Sequence, residues 1–472
     1  MRVLLVIHDL GFADHLAVAY LSAVAKQLNH QTFFCLLAED DLSTTVNDVK
    51  PDVVAYSVNV IGYRKTIEAH RKAANKYDFI SIMGGPHVTF SPETFSESGV
   101  DAYCVGEGEH AFRDFLIKVE QGDSFDDVEN LITKNKVNSV RPLIKDLDEL
   151  PLADRDLLIS NSFLKDAAKK TFYVTRGCPF KCAYCCNSYY RKLYSGKGPP
   201  VRRFSVERII REIEDVGGKY RMDFVKFGDD CFTLKADDWL EEFAEKYPKR
   251  IGVPFNCYLR IDTIDDAVLK LLRKAGCFSV HLSVDSTSRD VRENVLKREM
   301  RSEDIVERLR KVGQHGINTW VNYMLAAPDS TLQDDLDTIR FSRESKITYA
   351  SYSTTVPMEK TELYDYCVQK GLIDPLVHIA DMHDLGEKST LSCFSEKEKK
   401  VRLNILLMGA LIAKLPYPLN KVMLFVIRVI PPNRLFIKIH EILLHYYETN
   451  KIFKLPKDYQ TAPRRWKQSG AQ

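Results

Sequence analysis

Cys178, Cys182 and Cys185 stand in one eight-residue stretch, CPFKCAYC, separated by three and then two residues. Gly177 and Pro179 shape the chain for a tight wrap, and the aromatic Tyr184 is placed to shield whatever the thiols hold. Zinc usually takes four ligands, often as two separated pairs. Cys186 adjoins Cys185, and neighbouring side chains rarely converge on one metal, so it is not counted as a fourth. Three thiolates suit a cubane [4Fe-4S] cluster instead, leaving one iron open for a substrate. A zinc knuckle that borrows a distant Cys or His is the competing reading. The start, MRVLLVIHDLGF, turns acidic too soon for a signal peptide, so a cytoplasmic chain is expected. In that compartment clustered cysteines read as metal ligands or catalytic groups rather than disulfides.

Before the cluster, short apolar runs alternate with helix-period segments. RVLLVI (2–7), TFFCLL (32–37), VVAYSV (53–58), FISIMGG (79–85) and AYCV (102–105) read as buried parallel strands. The alternation predicts a doubly wound α/β domain, with ligand space at the strand carboxyl ends. Ser57, Gly84, Gly85 and Pro86 fall at such ends, as do Gly106 and Gly108 in GEGE. No GxGxxG opens the first helix, which disfavours a dinucleotide. From about Gln121 to Lys170 the pattern loosens into a proline-punctuated, acidic connector. With 67 Lys and Arg against 65 Asp and Glu, the chain offers no electrostatic reason to bind nucleic acid.

After the cluster come five further strand-like runs separated by helical ones: MDFVKFGDD, VPFNCYLRID, FSVHLSVDS, INTWVNYMLAAP and ITYASYSTTVP. Counting FYVT (172–175) ahead of it, they predict six βα-type units, a partial barrel rather than a closed eight-fold one.

CPFKCAYC resembles the CxxxCxΦC signature of the radical S-adenosylmethionine (SAM) superfamily, which carries its cluster loop after a barrel strand. The resemblance implies Cys178, Cys182 and Cys185 as cluster ligands. It also implies SAM chelated on the open iron and cleaved by one electron to a 5′-deoxyadenosyl radical. Gly228, Asp229 and Asp230 stand where the family often has a GGE edge for the SAM amino group. Ser283-Val284-Asp285-Ser286 is similar to the segment near the ribose. Arg298 stands where a basic residue often meets the SAM carboxylate, and Arg260 is a second candidate for an anionic group. Leu325–Pro328, LAAP, departs from the family's glycine-rich turn and puts the adenine-side contacts in question.

The α/β domain with GGPH and VGEGE resembles that of cobalamin-binding radical SAM enzymes. That implies a corrinoid pocket drawing on Ser57, Gly84, Gly85 and His87. Asp381-Met-His383-Asp-Leu-Gly386 fits the D-x-H-x-x-G string of a lower cobalt ligand, but it lies beyond the barrel and is set aside. The expected fold class is α/β: a Rossmann-like cobalamin-binding domain (1–125), a linker (126–170), a partial (β/α)6 radical SAM barrel (171–390) and a helical C-terminal domain (391–472).

The implied activity is methylation of an unactivated carbon in a small or lipid-like substrate. An electron donor such as flavodoxin or ferredoxin is the implied partner. Oxidative cyclisation or rearrangement without methyl transfer, and a non-catalytic metal- or corrinoid-binding protein, are the alternatives. No residue is assigned as general acid or base. Residues 395–460 are strongly apolar, and two readings stay open. Their helices close the barrel's open side and form a substrate pocket, or they lie on a membrane surface and make the protein membrane-peripheral.

Overall fold

The computed structural model describes residues 1–10, 15–300, 305–376 and 388–456. The DMHDLG string at 381–386 and the tail from Pro463 lie outside the described residues. The chain forms two compact units. One is Met1–Asp166 with Tyr189–Arg202; the other is Ala167–Ser188 with the described residues from Arg203 onward.

The first unit is a six-stranded sheet. Its strands are β1 (Arg2–Ile7), β2 (Gln31–Leu36), β3 (Val53–Ser57), β4 (Ile80–Gly84), β5 (Ala102–Cys104) and β6 (Leu131–Thr133), in the order β2-β1-β3-β4-β5-β6. The first five pair in parallel, and β6, from the stretch expected as connector, adds antiparallel to β5. Val3–Ile7 have no exposed surface, because helices cover both faces and an uninterrupted apolar run is what such a strand needs. These helices include α1 (Leu16–Gln27), α2 (Leu42–Val49), α3 (Tyr63–Ala74) and α4 (Glu109–Gln121). The chain leaves β1 for β2 on one side and returns to β3 on the other. The topological switch point therefore falls between Ile7 and Ser57, which are register partners.

The second unit is a six-stranded parallel sheet in strict chain order. It comprises β7 (Lys169–Phe172), β8 (Phe224–Phe227), β9 (Phe255–Tyr258), β10 (Cys277–Asp285), β11 (Asn318–Leu325) and β12 (Tyr349–Thr354). Between them run α5 (Val206–Lys219), α6 (Asp238–Arg250), α7 (Asp266–Ala275), α8 (Ile305–Gln314) and α9 (Leu332–Glu344). Ser205, Asp237, Asp265 and Thr331 cap four of these helices through their side chains, which fixes where each loop at the strand carboxyl ends stops.

The first strand lies three residues earlier than FYVT. Its ladder with β8 runs from Lys169 to Phe172, and then the backbone turns away. The amides of Val174 and Thr175 donate to the Asp229 carboxylate rather than to a neighbouring strand.

The C-terminal helices divide into two kinds. The helix α10 (Glu396–Lys414) packs on β12 and α9 and buries eleven residues. Its Gly409 lies against Tyr352, where a Cβ would come within 2.6 Å of the ring. The helices α11 (Leu419–Val429) and α12 (Arg434–Tyr447) bury one residue each, Ile427 and Phe436. Among the described residues no helix is long and apolar enough to cross a membrane.

Candidate active site

The cysteine loop follows the Thr175 turn. Cys182 is buried, Cys178 and Cys185 are half-buried, and Cys186 is exposed at the start of the Cys186–Leu193 helix. Burial pushes the Cys178 thiol up to about 11, whereas a hydrogen bond from Cys186 brings Cys185 down to about 7. Asn187 donates to the Cys185 sulfur at 3.7 Å. Among the described residues no three His, Cys, Asp or Glu side chains converge as single-ion ligands do. The thiolates of a cubane bond different irons and need no such convergence, so the donor set fits a cluster.

Cys182 is the sulfur with cationic company. Arg260 donates to it at 3.5 Å and Arg298 at 3.9 Å. Both arginines are buried, and each is clamped. Arg260 lies 3.7 Å from the centroid of the Phe180 ring, pairs with Asp262 and donates to the Glu299 carbonyl. Arg298 pairs with Asp285 at 2.8 Å, and donates to the Tyr184 hydroxyl at 3.0 Å and the Ser283 carbonyl at 2.8 Å. Tyr184 donates onward to Asp285 at 2.6 Å. Burial, then the Asp285 charge, holds the Tyr184 phenol well above its usual range, so it remains a donor. Hydrogen bonds to cluster sulfurs tune a cluster's potential.

Five expected residues thus meet on one loop face: Tyr184, Arg260, Ser283, Asp285 and Arg298. Asp285 itself adopts φ 63° at the end of β10, a conformation that few side chains other than Asn and Asp tolerate. The Gly228–Asp230 edge is built differently. A Cβ at Gly228 would come within 2.8 Å of the Tyr173 ring, so a side chain here would have to displace that ring. Asp229 points back into the protein, where one oxygen accepts from Val174 N, Thr175 N and the Thr175 hydroxyl. Its other oxygen is buried with no partner, and burial pushes the carboxyl up to about 7. Asp229 therefore braces the turn that launches the cysteine loop. Asp230 is raised by burial and bonds Asn187, tying the edge to the loop.

LAAP makes its turn without glycine. Ala326 adopts φ 56°, its amide donates to Asp335, and Asp335 is held in turn by the buried Arg402 of α10. Asn187, Phe180 and the Asp335–Arg402 pair were not singled out in the sequence. Only Asn187 and Phe180 carried a signal, through their closeness to the cysteines.

In the first unit the carboxyl ends of β3 and β4 carry Ser57, Gly84 and Gly85. Gly85 has φ 101° and ψ −178°, and a Cβ there would come within 2.6 Å of the Val58 carbonyl oxygen. That leaves bare backbone beside the switch point, as a large flat ligand requires. His87 is buried, with its ring stacked on Tyr63 at 3.9 Å. The GEGE loop is occupied from within: Tyr194 accepts from Glu107 N at 2.6 Å, and Arg202 grips the Glu107 carboxylate with two donors.

The family description "Radical SAM superfamily" matches residues 172–341, and "B12 binding domain" matches residues 3–116. The chain belongs to the radical SAM superfamily and carries a B12-binding domain. It is 29% identical over 373 residues to an uncharacterized methyltransferase of Pyrococcus horikoshii, spanning 76% of this chain and 79% of that one. It is 22% identical over 385 residues to the anaerobic magnesium-protoporphyrin IX monomethyl ester cyclase of Rubrivivax gelatinosus, covering 74% of this chain and 66% of the cyclase. Its fold is similar to that of the radical SAM methyltransferase TsrM of Kitasatospora setae, solved with cobalamin and a [4Fe-4S] cluster. The TM-score is 0.64 at 16% identity, over 78% of each chain. The chain's two matched domains are those of a radical SAM enzyme that uses SAM and cobalamin.

Proposed function

We propose that this cobalamin-dependent radical SAM enzyme methylates an unactivated carbon, with Cys178, Cys182 and Cys185 holding the cluster. The observation that carries the cluster assignment is the convergence of Arg260 and Arg298 on the Cys182 sulfur, in a loop that supplies three thiols and leaves Cys186 outside. Methyl transfer is supported by the relatives, most of which are named methyltransferases. When bound, the reduced cluster supplies the electron that cleaves SAM to a 5′-deoxyadenosyl radical, and the corrinoid supplies the methyl group.

The chain's own residues bind and orient. Gly228 exposes a backbone edge next to Asp230 for an ammonium group. Tyr184, Asp285 and Arg298 offer a hydroxyl, a carboxylate and a guanidinium for ribose and carboxylate oxygens. Burial around Cys182 keeps water from a reactive carbon radical. Ser57, Gly84 and Gly85 form the corrinoid-facing edge of the first unit, followed in the chain by His87, whose ring is stacked on Tyr63.

A second reading keeps the cofactors but ends in cyclisation or rearrangement; the cyclase among the relatives favours it. Anaerobic turnover with S-adenosylhomocysteine and 5′-deoxyadenosine both quantified separates the two. Methyl transfer yields both, and deoxyadenosine without homocysteine product rejects it. Replacing each of Cys178, Cys182 and Cys185 by Ala should abolish cluster binding, read as iron per chain, whereas Cys186→Ala should retain it.

A further inference from the structure

The helices α11 and α12 are apolar by sequence yet hardly buried. Eight of the eleven residues of LNKVMLFVIRV are apolar, and only Ile427 is buried. In RLFIKIHEILLHYY only Phe436 is. A helix that is apolar nearly all round is ordinarily enclosed by protein or by lipid. Leu419, Val422, Phe425 and Val429, spaced three, three and four, make one exposed stripe along α11, with Phe425 66% exposed. Leu435, Ile442 and Tyr446 make a second exposed stripe, on α12.

The charge of this segment is one-sided. Residues 415–456 hold six basic residues, Lys421, Arg428, Arg434, Lys438, Lys451 and Lys454, against Glu441 and Glu448. The segment is therefore +4 while the whole chain is +2, leaving the rest of the protein at −2. Lys438 lies three residues after Leu435, on the same helix face as the apolar stripe.

We propose that α11 and α12 form a docking surface for an anionic lipid membrane, with the apolar stripes in the acyl boundary and the basic residues against the headgroups. Helix length decides between lying and spanning. At about 1.5 Å per residue α11 is about 16 Å long and α12 about 21 Å, short of the ~30 Å hydrocarbon core. Charge decides between lipid and a second copy of this chain. A two-fold dimer through this face would set its basic residues against themselves, whereas an anionic surface neutralises them. The surface goes beyond the proposed chemistry and does not depend on it. It would present the enzyme to a lipid-like substrate.

Flotation of the full chain with phosphatidylcholine vesicles, with and without phosphatidylglycerol, tests this. Binding should require phosphatidylglycerol and weaken as salt rises. Phe425→Glu should abolish it. Lys421→Glu with Lys438→Glu, both exposed, should weaken it by more than about tenfold while leaving the far-ultraviolet circular dichroism unchanged. Absence of flotation, or equal binding to neutral vesicles, overturns the proposal. So does a dimer in light scattering that Phe425→Glu converts to monomer while the vesicles stay unbound. The assay needs no cofactor, so its failure leaves the reading of the cluster intact, and failure of SAM cleavage leaves the docking surface intact.

Discussion

Arg298 and Asp285 form an ion pair 2.8 Å apart, both side chains less than a tenth exposed, with Tyr184 bridging them and the Cys182 sulfur beside them. A buried pair of this kind adds little net stability, but breaking it strands a charge. Arg298→Ala should lower stability by about 3–5 kcal/mol in urea denaturation of the cofactor-free protein. Combining Arg298→Met with Asp285→Asn should recover most of that loss, because Asn tolerates the positive φ and no charge remains buried. A double variant as unstable as the single one would refute the account.

Asp229 predicts a pH dependence. Its carboxyl is pushed from the usual 3.8 up to about 7, chiefly by burial. Its contribution to stability is full below about 4, where both folded and unfolded forms are protonated. It declines as pH rises and is lost once the folded form ionises near 7. Asp229→Asn keeps the oxygen that accepts from Val174 and Thr175 and carries no charge. Its melting temperature should therefore exceed the parent's by roughly 4 °C above pH 7, with the gap closing as pH falls toward 4. A gap that does not vary with pH would show that Asp229 does not titrate in this window.

Gly85 tests the shape of the first unit. An added Cβ meets the Val58 carbonyl oxygen at 2.6 Å and amide nitrogen at 2.7 Å, both backbone, so neither can swing aside. Gly85→Ala should cost about 3 kcal/mol or more in thermal or chemical denaturation. Gly99, at φ 81° with nothing within 4 Å of an added Cβ, is the control: Gly99→Ala should cost about 1 kcal/mol, the conformational strain alone.

Ala326 tests the LAAP turn. Glycine would relieve about 1 kcal/mol of left-handed strain and forfeit about 0.8 kcal/mol of buried methyl, so Ala326→Gly should be close to neutral. A β-branched residue keeps the strain and crowds a fully buried site. Ala326→Val should cost more than about 2 kcal/mol, measured by the same melts.

The elements of both units were legible because period and composition are local. An unbroken apolar run such as RVLLVI has to be buried on both faces, and the cysteine spacing is written in eight consecutive residues. The C-terminal segment was legible as helical, but whether its helices are enclosed was not. By sequence α10 is less apolar than α11 or α12, yet it has β12 and α9 to pack on and is the one enclosed, whereas α11 and α12 keep their stripes exposed.

Tertiary structure alone decided which charges meet. Tyr184 and Asp285 lie 101 residues apart, Tyr184 and Arg298 lie 114 apart, and Asp229 reaches back 54 residues to Thr175. Nothing periodic marks such pairs. They form because parallel strands in chain order bring their carboxyl ends to one rim, where polar side chains shielded from water have only each other as partners.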